Sequence, residues 1–305
     1  MATLEQAALR REELEPVVVH DHRPSPLELI RRTWQVRSLI PRLGPRQMIK
    51  GFAGTKLGPS WLVIRPVVSI FGMALLFGSV LETPSGGVPY LLFLLVGMVG
   101  WMTFQRGVFW ATRSFDIYRK VAGRVQIPTL LVPTAALTLM LIEVAVVVLL
   151  TAATAGFYWV TEGELALELA RPEALLGVAG LLLAAVLAWG IGLWLGTLNG
   201  LARDVRLTLT LVLPVWLYAT PVVYPISALP DKWSFLATIN PVSAPVELVK
   251  EGFLGAGELT GAILAVSLVT TVVLCTSGLW FIARLSPRLL RARTFVDDEE
   301  EEELL

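Results

Sequence analysis

The 305 residues are 55% hydrophobic and 16% charged, with a mean hydropathy of +0.68, against about 45–50% apolar and about 25% charged in soluble domains. That balance excludes an ordinary soluble domain and predicts an all-α integral membrane protein. The zero net charge is a cancellation: Asp297, Asp298 and Glu299 to Glu303 place seven acids in the tail, leaving 25 basic against 18 acidic residues in 1–296. The one cysteine, Cys275, excludes an intrachain disulfide and argues against a cysteine-built metal or redox site.

Residues 1–26, with Glu12, Glu13, Pro16, Pro24 and Pro26, carry neither helical nor strand periodicity and read as a disordered cytosolic arm. They also lack the apolar core and cleavage site of a secretory leader. His20-Asp21-His22 has metal-binding side chains but none of the further ligands of a defined site. From Leu27 to Ile40 the pattern turns amphipathic. Leu27, Ile30 and Trp34 share a face, with Arg31, Arg32 and Arg37 around the helix, which fits a helix lying on an anionic membrane surface. A soluble helix packed on a partner domain is the plainer alternative. Residues 27–56 are assigned to this interfacial region.

Six segments within 57–285 are long and apolar enough to cross the ~30 Å hydrocarbon core: Trp61–Val80, Pro89–Phe109, Thr129–Ala155, Ala174–Leu198, Leu207–Tyr224 and Gly261–Ala283. An even number puts both termini on one side. Ten Lys/Arg precede Trp61, four lie in 110–128, two in 199–206 and four from Arg284 onward. The opposite connections carry none in 81–88, Arg171 alone in 156–173, and Lys232 and Lys250 in 225–260. The positive-inside rule then predicts cytoplasmic termini, including the acidic tail 286–305. Phe157-Tyr158-Trp159 fits an aromatic belt at the outer end of the third span.

Glu143 lies near the middle of that span, where a carboxyl costs ~2.5–3.5 kcal/mol unless it faces the bundle and finds a partner. It reads either as a coupling-ion or proton site, or as a structural hydrogen bond between helices; no second buried acid or histidine forms a relay with it. Arg65, one turn inside the first span, is placed to snorkel to the cytosolic interface. In Ser114–Pro128, Asp116, Tyr118, Arg119, Lys120 and Arg124 alternate with Phe115, Ile117, Val121 and Val125. The stretch is either a short amphipathic helix on which a soluble partner docks or a basic loop obeying topology rules.

In Leu201–Gly257 a short charged turn and a short apolar segment lead into Pro214, Pro221, Pro225, Pro230, Pro241 and Pro245. Proline removes a backbone donor and clashes with the preceding turn, so this stretch cannot be one lipid-facing helix. Broken backbone at membrane depth is tolerated where protein or a water-filled cavity covers it, which points to a gate. A Gly-Lys dipeptide never occurs, so the chain has no Walker-type phosphate loop; H-E-x-x-H and G-x-S-x-G are also missing.

Taken together, several pieces resemble the permease subunits of polysaccharide-type ATP-binding-cassette exporters. They are Leu57-Gly58-x-x-Trp61-x-x-x-x-Pro66, Gly97-x-x-x-Trp101, Tyr118-Arg119-Lys120-Val121 through Ile127-Pro128, Arg203-Asp204-Val205, Thr220-Pro221-Val222-Val223-Tyr224-Pro225, Asn240-Pro241 and Pro245-x-Glu247. Each is weak alone; their order and spacing over roughly residues 28–285 are specific. The resemblance implies six transmembrane helices, an N-terminal interfacial helix, a cytosolic coupling helix and re-entrant outer gate helices between helices 5 and 6. It implies a homodimer in the bacterial inner membrane, joined by two copies of a separate ATPase that holds the ATP and Mg, with no cofactor on this chain and no nucleic-acid partner.

The cargo implied is a lipid-linked glycan of the O-antigen, teichoic acid or cell-wall galactan type, which places the chain in cell envelope biogenesis. Asp116, Tyr118, Arg119, Lys120 and Arg124 would couple to the ATPase, and Pro221, Tyr224, Pro225, Asn240 and Pro241 would form the gate. Because sugars stack on aromatic faces, Trp61, Phe71, Trp101, Phe104, Trp216 and Tyr218 are nominated as substrate path. Gly51-Phe52 stands where such permeases commonly carry an Arg-Tyr pair. The rivals are an exporter of drugs or small lipids, a membrane-embedded transferase using Glu143, Asp116 or Glu247, and an ion-coupled carrier, disfavoured because the two halves show no repeat.

Overall fold

The computed structural model describes residues 24–43, 55–117, 128–163, 167–169, 171–202 and 204–302, with side-chain surroundings as far as Leu285. Every regular element among them is helical. In chain order these are α1 (Pro26–Gln35), α2 (Trp61–Met73, continued by a π-type segment Ala74–Val80), α3 (Tyr90–Thr112), α4 (Leu131–Glu162), α5 (Ala174–Asn199), α6 (Asp204–Tyr218), α7 (Asp231–Ile239), α8 (Ser243–Leu254) and α9 (Gly261–Glu302).

Ser25 caps α1 by accepting from the Glu28 N–H, with Pro26 in the first turn, where a missing N–H costs nothing. Leu29 and Thr33 are buried, and Leu29 joins a cluster with Phe115, Leu131, Leu193 and Ile282. The face carrying Leu27, Ile30 and Trp34 points away from the protein and is exposed. Helix α1 thus commits Leu29 and Thr33 to the bundle and leaves the apolar Leu27, Ile30 and Trp34 free.

Among the described residues, five helical segments are long and apolar enough to cross a membrane: Gly58–Val80, Tyr90–Thr112, Leu131–Glu162, Ala174–Asn199 and Gly261–Leu285. The expected fifth crossing, Leu207–Tyr224, is represented by α6, whose 15 residues reach about 22 Å at ~1.5 Å per residue. The helix stops because Pro221 lacks the N–H that would continue it and disfavours helical backbone in Thr220. Beyond the last crossing, α9 runs on to Glu302, so the backbone of the tail continues the helix as far as that residue.

The bundle is organised on α3, which packs against α4, α5 and α8, while α5 also packs against α8 and α9. Between apolar helices in an apolar solvent, close approach of backbones supplies the stability, and small residues permit it. A Cβ at Gly192 on α5 would lie 2.3 Å from that of Ala111 on α3. One at Gly252 on α8 would lie 2.1 Å from the Gly177 nitrogen on α5. Neither contact leaves space for any side chain.

Candidate functional site

Two polar assemblies sit at opposite ends of α6. At its C-terminal end, α7 closes on Asn240, which is 7% exposed. The Asn240 Oδ1 accepts from Trp216 Nε1 and from the Val242 N–H, each at 3.0 Å. Its Nδ2 donates to the Thr220 Oγ1 at 2.8 Å and to the Ala219 carbonyl at 3.1 Å. Two donors and two acceptor positions are the whole capacity of an amide side chain, so this one residue locks the end of α6, the turn after it and the start of α8.

The turn itself is deeply packed. Pro221, Val222, Val223 and Pro225 are buried; a Cβ on Gly97 of α3 would lie 3.0 Å from the Val222 carbonyl. Tyr90 donates its hydroxyl to the Val223 carbonyl and Tyr224 donates to the Tyr218 carbonyl, each at 2.7 Å. Pro241 offers its carbonyl to the Ser267 hydroxyl at 2.7 Å. The five nominated gate residues, Pro221, Tyr224, Pro225, Asn240 and Pro241, therefore belong to one assembly.

Behind it lies a charged pair inside α8. Glu247 and Lys250 are both wholly buried, with Lys250 Nζ 2.6 Å from Glu247 Oε1 and 4.7 Å from the centre of the Phe93 ring. The carboxylate and ammonium meet as a buried ion pair one helical turn apart. Glu247 Oε2 accepts the Glu258 N–H at 2.6 Å, and the Glu258 carboxylate in turn accepts from the Ser227 N–H and hydroxyl. Burial pushes the Glu247 carboxyl up from its usual range, opposed by the Lys250 charge and the Glu258 N–H. Lys250, counted from sequence among the charges of an outer connection, is instead buried. Its i, i+3 spacing from Glu247 in an otherwise apolar run was the legible signal.

At the N-terminal end of α6, Asp116 accepts from Asn199 Nδ2 at 3.0 Å and lies 3.6 Å from Arg206 Nη1. Residues 114–117 are helical and open the nominated coupling stretch. Asp116 is thus turned toward α5 and α6. Tyr118, Arg119, Lys120 and Arg124 lie outside the described residues, as do Arg203, His20, Asp21 and His22.

Glu143 finds its partner on α3, a residue sequence reasoning passed over: Arg106 Nε lies 2.6 Å from Glu143 Oε2, and Trp110 Nε1 donates to Oε1 at 3.2 Å. Arg106 lies within the apolar span itself, seven residues before Arg113, which follows the end of α3. The three carboxylates of the transferase alternative, Glu143, Asp116 and Glu247, each have such an internal partner in separate surroundings. No three His, Cys, Asp or Glu side chains converge among the described residues.

The six aromatic residues nominated for a substrate path divide. Trp101 and Phe104 have no exposed surface, and Phe104 packs between Trp101 at 5.6 Å and Trp216 at 5.2 Å. Phe71 and Tyr218 are 59% and 52% exposed, and Tyr218 stacks on Phe77 of the π-type segment; Trp61 and Trp216 are half-buried.

Residues 43–254 match the family model described as ABC-2 type transporter, well over half of the chain. The chain belongs to the ABC-2 type transporter family. Similar curated proteins include the O-antigen export system permease protein RfbA of Myxococcus xanthus, 24% identical over 71% of this chain and 80% of that protein. Two proteins of the same description from Klebsiella pneumoniae are each 22% identical over 78% of this chain and 88% of theirs. As an ABC-2 type transporter with several apolar spanning segments, the chain is a multi-pass membrane transport subunit, and its family implies an ATP-binding partner.

Proposed function

We propose that this chain is the permease subunit of an ATP-driven exporter of a lipid-linked polysaccharide, of the type moved by the O-antigen permeases it resembles. Two copies work with two copies of a separate ATPase, both termini face the cytoplasm, and the membrane is the bacterial inner one. In this reading α6 and the turn after it make the short fifth of six crossings, α7 and α8 form a re-entrant outer gate, and α1 rests its free apolar face on the cytosolic leaflet. The second copy covers α2 and α6, whose outward faces are exposed in the single protomer.

The observation that carries the reading, beyond family membership, is the position of α6 between the two assemblies. Asp116 holds its N-terminal end beside the coupling stretch, and Asn240 holds its C-terminal end beside the gate. A displacement of 118–124 by an ATPase would pull on Arg206 and Asn199 through Asp116, and α6, helical from Asp204 through Pro214 to Tyr218, would carry that pull toward Trp216 and Asn240. Rigidity is needed because an interface that deformed continuously would dissipate the motion.

The test is Asp116→Ala in the complex with its ATPase, reconstituted in vesicles or assayed in cells. The expected outcome is an intact complex, retained ATP hydrolysis, and lipid-linked glycan accumulating at the cytosolic leaflet as export falls at least tenfold. Full export by the variant would sink the lever; a chain that joins no ATPase, or whose depletion leaves glycan export unchanged, would sink the function.

A further inference from the structure

We infer that a cavity behind α8 holds one acyl chain of a membrane phospholipid. It encloses about 190 Å³ where α3, α4, α5 and α8 meet. Val96 and Val99 of α3 and Thr151 of α4 are buried in its wall, and Leu181 of α5 and Phe253 of α8 complete it. The site rests on the function proposed above in one respect: its described lining residues belong to α3, α4, α5, α8 and the 167–169 segment, none to α2 or α6, which that reading gives to the second copy.

The described wall is wholly apolar. Its one hydroxyl-bearing residue, Thr151, donates that group to the Val147 carbonyl at 2.8 Å. Water occupies a cavity only where several polar partners hold it, and apolar cavities of about 150 Å³ stay dry and take up benzene-sized hydrocarbon. The chemistry of the wall therefore calls for hydrocarbon.

Depth supplies it. Val148, Ala152 and Leu169 rim the opening and are exposed. Ala152 lies five residues and Val148 nine residues before Phe157 on α4, roughly 8 and 14 Å along a helix. Phe157 and Trp159 are 64% and 59% exposed, and aromatic rings so placed mark the level of the headgroups. The opening thus sits within the acyl region of one leaflet, about 15 Å deep as half of the hydrocarbon core. No polar group in the described wall selects a headgroup, so the most abundant hydrocarbon at that depth, the chain of bulk phospholipid, fills the cavity.

The position matters for α8. Phe253 stands next to the last residue of that helix. Its carbonyl accepts the Glu168 N–H at 2.9 Å, which ties it to the segment at the opening. A Cβ at Gly177 of α5 would lie 2.7 Å from the Phe253 ring, so the ring rests on bare backbone. A chain in the cavity lies against this fixed end of α8 and braces it from α4.

The experiment places the full complex in nanodiscs of phosphatidylcholine bearing a photoreactive diazirine midway along one acyl chain, and maps labelled residues by peptide mass spectrometry after irradiation. Val269 of α9, 62% exposed, reports ordinary lipid contact in the same sample. Labelling of Val96, Val99 or Phe253 at a level comparable with Val269 is the expected result. Ala152→Trp, on an exposed side of α4, should cut that inner labelling about fivefold or more while Val269 labelling holds, because close packing leaves no room for both ring and chain. Val148→Trp repeats the test from another point on the rim, and Val269→Trp should leave inner labelling unchanged.

Labelling confined to exposed residues, or inner labelling that neither rim variant reduces, overturns the inference. The readout needs no ATP, glycan or transport. A complex that exports no glycan would therefore refute the proposed function and leave the cavity's occupant standing, and an unlabelled cavity would do the reverse.

Discussion

The spanning segments of α2 and α3 are comparably apolar, with mean hydropathies of 1.9 and 1.5, yet of the apolar 18-residue stretch in each, 11% is buried inside the protomer for α2 and 83% for α3. Hydropathy therefore reports that both can enter a bilayer and nothing about what each does there. The difference lies in small residues: α3 presents Gly97, Gly100 and Gly107 where the gate turn, α8 and α5 approach its backbone. On α2 a Cβ at Gly72 would meet nothing within 4 Å. Helix α2 also contains Pro66 and loosens into a π-type segment against Tyr90 and Tyr218. Such departures from the regular ladder mark places where a helix bends or adapts. One helix is the fixed axis of the protomer and the other is its adaptable wall.

The largest test of the fixed axis is Lys250→Met. It leaves Glu247 buried without its cation beneath α3, and removing one partner of a buried pair costs ~3–5 kcal/mol. Thermal unfolding in detergent should show that loss, and replacing Glu247 by Gln in the same protein should recover most of it; a small effect of Lys250→Met alone would mean that α8 does not depend on the pair. Next comes Gly252→Ala. With a Cβ 2.1 Å from the Gly177 nitrogen, α8 must move off α5, an overpacking cost of ~1–3 kcal/mol, and protease nicking of the 255–260 connection should accelerate. The smallest effect is expected for Val68→Ala on α2, within about 0.5 kcal/mol for a side chain that is 66% exposed in the protomer. A clearly larger loss in the assembled complex, absent from dilute protomer, would show that a second copy covers this wall.

Much of the candidate site was readable because proline and asparagine act locally. Pro221 and Pro225 announced broken backbone, and Asn240-Pro241 stood among the motifs of the family resemblance and the nominated gate. What stayed hidden were partners brought together from distant sequence. Glu143 attracted notice as a lone charge, but Arg106, 37 positions earlier, meets it only because α3 and α4 pack side by side. Asn199, at the end of α5, meets Asp116 only because the chain beyond α3 packs beside it. Trp101 and Phe104 could not be separated from Trp61 and Phe71 by composition, since an aromatic ring suits a core, a lipid face or a sugar equally well.

The amino-acid sequence by itself determined an all-helical, multi-pass membrane chain whose proline-rich stretch breaks after α6, because hydropathy, helix length and the backbone chemistry of proline act over one element at a time. Only the tertiary structure decided which apolar helix is axis and which is wall, that Lys250 is buried beside Glu247, and that α6 joins Asp116 to Asn240. Those outcomes depend on which backbones can approach to within contact distance, a property of pairs of helices that no single segment carries.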